Sequence, residues 1–266
     1  VWRRPVVVHL HAAEFEAFIA TESSAVALCQ RVAFSASDAV VCLADDWTEA
    51  VRDRAPGVNP VVVPNAVDPG VYRPQHGTDP PRILFLADLV ERKGFPEFVE
   101  AIARLRDRGV PEHRVDIAGT GPLADRARRL ERTRSNVEFH GYVDEDTKRR
   151  LLDRASVYVL PSRAEGMPIS VLEAMAGGNA LVTTPVGALP EIVGDEHAIT
   201  VAPGDADALA DALATALADG DRIDEMGRTN RALVANRYSW ERVSDRLSEL
   251  YLGLQRGVAD GERGQG

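Results

Sequence analysis

From Ile83 to Ala202, short apolar and β-branched runs alternate with stretches of 3.6-residue periodicity, and this alternation constrains the fold more than any other feature of the chain. The runs are Ile83–Ala87, Val115–Ala118, Val137–Phe139, Val157–Leu160, Leu181–Thr184 and Ile199–Ala202. Phe95–Arg108, Leu123–Arg132, Asp146–Ala155 and Pro168–Ala176 carry the helical periodicity between them. A strand apolar at consecutive positions has to be covered on both faces, and the intervening amphipathic helices supply that cover. The pattern specifies an α/β unit with a parallel sheet. Three earlier runs, Val6–Val8, Val40–Leu43 and Val61–Val63, are of the same kind.

A cluster of Pro, Gly, His and Asp at Pro69–Pro81 marks the boundary between two units. Residues 1–75 are too few for a complete doubly wound domain and read as the tail half of one. Residues 82–235 suffice for a Rossmann-like domain of six strands. A closing helix is predicted over 238–256, with Trp240, Val243, Leu247, Leu250 and Leu254 on one stripe, and a disordered tail over 257–266. The start at Val rather than Met, together with the half-length first unit, reads as a fragment of a longer protein.

Acidic residues outnumber basic ones 41 to 31, a net charge of −10 that makes nucleic acid a poor partner. The longest uncharged run, Ala174–Pro190, is broken by Gly and Pro and is too short to span a bilayer. Cys29 and Cys42 form neither a disulfide framework nor a metal-ligand spacing, and both are expected to be reduced and structural. With no secretory signal in Val1–His11, the expected location is cytoplasmic. Nearly all the positive charge is Arg, and Lys occurs only at Lys93 and Lys148.

The chemistry concentrates in Pro161–Val193, PSRAEGMPISVLEAMAGGNALVTTPVGALPEIV. In an open α/β sheet, ligands bind outside the carboxyl ends of the strands, where the loop after Val157–Leu160 lies. That loop carries Glu165 and Gly166, and Pro168 is expected in the first turn of the following helix, which holds Glu173. Gly166 allows close approach of a ligand, and the free N–H groups near Met167–Ser170 suit an oxyanion or sugar hydroxyls.

Glu165 and Glu173, followed by EAMAGG and TTPVGALPEIV, resemble the donor-binding signature of family 4 glycosyltransferases of the GT-B fold. The resemblance extends to Pro64–Asp68 (PNAVD), Lys93–Gly94, Gly119–Pro122 (GTGP), Phe139–Asp144 and Tyr238–Trp240. It implies a nearly complete C-terminal Rossmann-like domain behind the tail half of an N-terminal one. It also implies transfer of a sugar from a nucleotide diphospho-sugar to a hydroxyl acceptor, with retention, in polysaccharide or glycolipid synthesis. Glu173 would hold the ribose, Glu165 with Gly166, Met167, Pro168 and Ile169 the transferred sugar, Lys93 the diphosphate, and the backbone near Val143 the base. Lys148 would lie beside the nucleotide, and His11 would face the sugar from the end of an N-terminal strand. No metal or other cofactor is implied, since no spaced carboxylate pair suited to Mg²⁺ stands at a sheet edge. A peripheral membrane contact is implied only through N-terminal sequence that this chain does not contain.

Plainer alternatives stand beside several of these roles. His11 can be a structural histidine, with His9 its competitor, Lys148 a solvated charge, and Glu173 a surface glutamate. GTGP reads as a tight structural turn, because Pro122 removes a donor. The chain also departs from the family pattern. Ala87–Asp88 stand where the family often has Gly-Arg, and Arg92 is expected to take over that arginine's contact with the diphosphate. Ala66, Ala87 and Ala198 replace glycines and would be strained at any positive φ. Two rivals follow: a non-catalytic nucleotide-sugar-binding protein and a nucleotide-sugar epimerase.

Overall fold

A computed structural model describes residues 4–11, 15–21, 23–75, 79–105 and 108–263. The first unit contains β1 (Val7–His9), α1 (Phe15–Ile19), α2 (Ser24–Ala36), β2 (Ala39–Cys42), α3 (Asp45–Arg54) and β3 (Pro60–Val62). The second opens with β4 (Arg82–Leu86), α4 (Phe95–Leu105), β5 (Arg114–Ala118), α5 (Ala124–Thr133), β6 (Val137–Gly141) and α6 (Glu145–Arg154). It continues through β7 (Val157–Leu160), α7 (Ile169–Ala176), β8 (Ala180–Thr183), α8 (Leu189–Ile192) and β9 (Ala198–Thr200). Three helices end the described chain: α9 (Ala206–Ala218), α10 (Gly220–Arg237) and α11 (Trp240–Arg263). Each apolar run singled out in the sequence overlaps one of these strands, most of them offset by a residue or two.

The strands form two parallel sheets, of order β1-β2-β3 and β6-β5-β4-β7-β8-β9. This is the α/β architecture of the GT-B type. Alternation along β4 sorts the core of the second unit into two faces. Ile83 and Phe85 pack with Phe95 and Phe98 of α4 and Leu209 and Leu213 of α9. Leu84 and Leu86 face Leu152 of α6, Leu172 and Met175 of α7 and Val234 of α10. The second cluster runs on without a break into Val40, Cys42 and Trp47, so the two units share buried apolar surface.

Order along the larger sheet fixes the ligand crevice. The chain moves outward from β4 to β6, then returns to place β7 on the other side of β4. The loops leaving β4 and β7 therefore diverge at one point, the reversal of strand order where open α/β sheets hold their ligands. Glycines allow those loops to meet. Gly94 has φ 68°, and a Cβ there would lie 1.9 Å from the carbonyl oxygen of Pro161.

Several expectations are corrected. Pro168 occupies the N-cap position, one residue before α7, because its extended ψ of 115° falls outside the helix. The last helix runs to Arg263, past the predicted tail start at 257; once a helix is nucleated, each further residue adds a hydrogen bond, which offsets the roughly 1 kcal/mol that Gly257 and Gly261 each cost. Among the described residues no non-glycine has positive φ, so Ala66, Ala87 and Ala198 are unstrained. Cys42 is buried, which pushes its thiol up to about 12, whereas Cys29 is exposed and packs into no core.

GTGP is the tight turn that the plainer reading predicts. A Cβ on Gly119 would meet the Ala87 carbonyl oxygen at 1.9 Å, and one on Gly121 the Leu89 carbonyl oxygen at 2.6 Å.

A polar network lies on one face of β4–β6. Asp116, 4% exposed, accepts from Arg82 at 2.7 Å and lies 2.8 Å from His140 Nε2, while Glu138 lies 3.7 Å from His140 Nδ1. The hydrogen bond to Asp116 and the charges around it raise His140 above its ordinary value, against the effect of burial. Burial disfavours the Asp116 carboxylate, but His140 and Arg82 outweigh it and hold the group below its usual range. A raised native value means that the His140 contribution is complete below about pH 6.5 and is lost as pH climbs through that value. Urea unfolding of the native chain and His140→Gln should differ by about 1.5–3 kcal/mol at pH 5.5, a gap that narrows as pH rises through the raised native value. A gap independent of pH would exclude a charged His140.

Candidate functional site

The loop leaving β4 forms a 3₁₀ turn over Glu91–Lys93, ended by Gly94 in the left-handed region. This turn aims Arg92 and Lys93 at the loop leaving β7. Lys93 Nζ donates to both oxygens of Glu165, at 2.6 and 2.9 Å. Ser162 Oγ donates to Glu165 Oε1 at 2.6 Å. Arg92 Nη1 donates to the Ala164 carbonyl at 3.1 Å and lies 4.0 Å from Glu165 Oε2. Glu165 is 6% exposed, so its carboxylate is paired in a largely water-free setting.

Gly187 makes the second support of this loop possible. Its φ is 57°, and a Cβ there would stand 2.2 Å from the Glu165 carbonyl oxygen and 2.6 Å from that of Gly166. With no Cβ in the way, the Ala188 N–H reaches the Gly166 carbonyl at 2.8 Å. Gly166, Met167 and Pro168 are buried, and Ile169 at the start of α7 is 49% exposed. The Val171 N–H is already bonded to the Pro168 carbonyl at 3.1 Å, which leaves Ile169 and Ser170 as the first-turn donors that a helix does not itself satisfy.

Glu173 follows on α7. Lys148 Nζ donates to its Oε1 at 2.7 Å and to Glu145 at 3.0 Å. Burial opposes the Lys148 charge, but these two carboxylates prevail and raise its value. Lys148 is thus neither free nor plainly solvated. The Tyr72 hydroxyl also lies near Glu173: burial, followed by the Glu173 charge, raises its value. Val143, between β6 and α6, is half-buried; its neighbour Tyr142 is 81% exposed.

The structure therefore brings Lys93, Arg92 and Glu165 together in one cluster, and Lys148 of α6 and Glu173 of α7 in another. It does not join His11 to either. His11 is exposed just beyond β1 and stacks on His9 with ring centroids 6.0 Å apart. His9 in turn lies 3.1 Å from the Tyr251 hydroxyl. Asp88 is exposed, on the loop before the 3₁₀ turn. Sequence reasoning missed Ser162 and Tyr72. Ser162, three residues before Glu165, could have been read as its partner; the Tyr72 contact spans the boundary between units and leaves no local signal.

Comparison with known proteins places these residues in a family. The family model for glycosyl transferases group 1 matches residues 80–219. A glycogen synthase of Mycobacterium tuberculosis is 31% identical over 229 residues, covering 82% of this chain and 54% of its own length. An MMP α-(1→4)-mannosyltransferase of Mycolicibacterium hassiacum is 32% identical over 195 residues, covering 71% and 47%. The chain thus spans about half the length of these relatives. Among solved structures, sucrose-phosphate synthase from Thermosynechococcus elongatus superposes with a TM-score of 0.78 at 23% identity, covering 94% of this chain and 68% of that one. Anabaena HepE in complex with UDP gives 0.76 at 19%, covering 94% and 73%. The matched stretch is more than half the chain and contains Arg92, Lys93, Lys148, Glu165 and Glu173: this chain belongs to the group 1 glycosyl transferases.

Proposed function

We propose that this chain carries the donor site, and part of the acceptor side, of an enzyme that moves a sugar from a nucleotide diphospho-sugar to a hydroxyl acceptor with retention. The observation that carries the reading is the Lys93–Arg92–Glu165 cluster at the reversal of strand order. Two cations beside a buried carboxylate, next to a helix N-terminus, suit a ligand that joins a diphosphate to a polyol. The related HepE was solved with UDP-glucose, which is such a ligand.

On this reading Lys93 changes partner when the donor enters. Its ammonium turns from Glu165 to the diphosphate, and the released carboxylate accepts from hydroxyls of the transferred sugar, flanked by Gly166, Met167, Pro168 and Ile169. Lys93 and Arg92 then stabilise the charge that grows on the departing nucleoside diphosphate, without a metal or other cofactor. Glu173, steadied by Lys148, takes the ribose hydroxyls, and the backbone at Val143 meets the base. His11, accessible at the end of β1, faces the sugar. The acceptor is a hydroxyl of a glycan or glycolipid.

Calorimetric titration with UDP, GDP, ADP and dTDP tests the site and names its base. Glu173→Ala should remove binding of the preferred nucleotide, and a site outside this cluster is indicated if it does not. Arg92→Ala should weaken that nucleotide about 10- to 100-fold, the range for a lost hydrogen bond to charge, whereas exposed Asp88→Ala should change it less than about threefold. Comparable losses would refute the assignment of Arg92. Lys148→Gln should weaken binding about tenfold or less, because it steadies Glu173 rather than touching phosphate. A larger loss would place Lys148 on the ligand itself.

A further inference from the structure

The Pro64–Asp68 segment links the two units, and the roles above leave it unused. Its Asn65 is joined twice to a single residue of the loop after β7. The Asn65 side-chain amide donates to the Met167 carbonyl at 2.7 Å, and its backbone N–H points to Met167 Sδ at 3.2 Å. Met167 itself is 5% exposed and lines a small cavity with Leu43, Val62 and Pro64 of the first unit and Tyr238 of the second.

Two residues further on, the linker is fixed from another side. The Val67 N–H donates to the Tyr238 carbonyl, and the Trp240 N–H donates to the Val67 carbonyl, each at 3.0 Å. The loop bearing Glu165 is thus held on two sides by different parts of the molecule. Gly187 and Ala188 hold it from within the second unit; Asn65 holds it from the linker.

We infer that Asn65 is a positioning residue that sets the conformation of the Glu165–Ile169 loop through the Met167 carbonyl, and so couples sugar recognition to the placement of the first unit. The inference rests on the donor reading above for what the loop recognises, but not for the coupling itself. The loss of one hydrogen bond frees the peptide that orients Gly166 and the start of α7, while Lys93, Arg92, Lys148 and Glu173 keep all their partners. Asn65 therefore acts on the sugar end of a ligand and spares the nucleotide end.

Hydrogen exchange and binding together test this. Asn65→Asp keeps the shape but sets an acceptor oxygen against the Met167 carbonyl; Asn65→Ala removes the donor outright. In both variants, the amides of Gly166, Met167, Ile169 and Ser170 should exchange about tenfold faster than in the native chain, with α4 and α9 unchanged. Native-like protection of those amides in Asn65→Asp overturns the inference, whether or not any nucleotide binds. UDP and UDP-glucose form the second arm. The variants should bind UDP within about twofold of native and UDP-glucose about tenfold more weakly. Equal losses for both would reduce Asn65 to a general structural contact. If the native chain binds neither, the donor reading fails for uridine nucleotides, and the exchange data alone decide the coupling.

Discussion

A buried glutamate paired with a partly buried lysine at the reversal of strand order organises this molecule. Removing one partner of such a pair strands a charge away from water and costs about 3–5 kcal/mol, whereas an apolar pair of similar volume is often at least as stable. Lys93 and Glu165 are therefore poor choices for stability alone. On the donor reading proposed above, their value lies in being exchangeable: a dianionic ligand takes the lysine, and hydroxyls take the glutamate, with both groups already in place. Arg92 and Ser162 hold the cluster in that state before any ligand arrives.

The surrounding backbone is built to bring these side chains within reach. Gly94 lies against Pro161, Gly119 against Ala87, and Gly187 against Glu165 and Gly166, each at a distance that excludes a Cβ. These contacts draw the loops after β4, β5, β7 and β8 into one surface at the carboxyl ends of the strands. The two apolar faces of β4 then fix that surface relative to α4 on one side and α7 on the other. Site geometry is thus a consequence of sheet order and of three glycines, with the polar groups set on top.

Much of this was legible in the sequence because it is local or periodic. Apolar runs between 3.6-period stretches identify the strands and most helices of the second unit, and Glu165, Glu173, Lys93 and Arg92 stand in recognisable motifs at strand ends. What could not be read depends on contacts distant in the chain. The partnership of Lys148 with Glu173 spans 25 residues, and that of Asn65 with Met167 spans 102. The buried Asp116, set in a strand that reads as apolar, makes sense only once Arg82 and His140 are seen beside it. The feared strain at Ala66, Ala87 and Ala198 vanishes because none of them adopts positive φ, a matter of backbone path rather than residue type. Pro168 likewise signals the start of α7, but which side of the boundary it takes is set by the turn before it.

The central claim is that Lys93 exchanges Glu165 for a diphosphate. A crystal structure of the chain with the nucleotide sugar it binds tests this most directly. The account predicts Lys93 Nζ at about 2.7–2.9 Å from a diphosphate oxygen, no longer bidentate on Glu165, with sugar hydroxyls on the freed carboxylate. A bound donor whose diphosphate leaves the Lys93–Glu165 pair intact would contradict it.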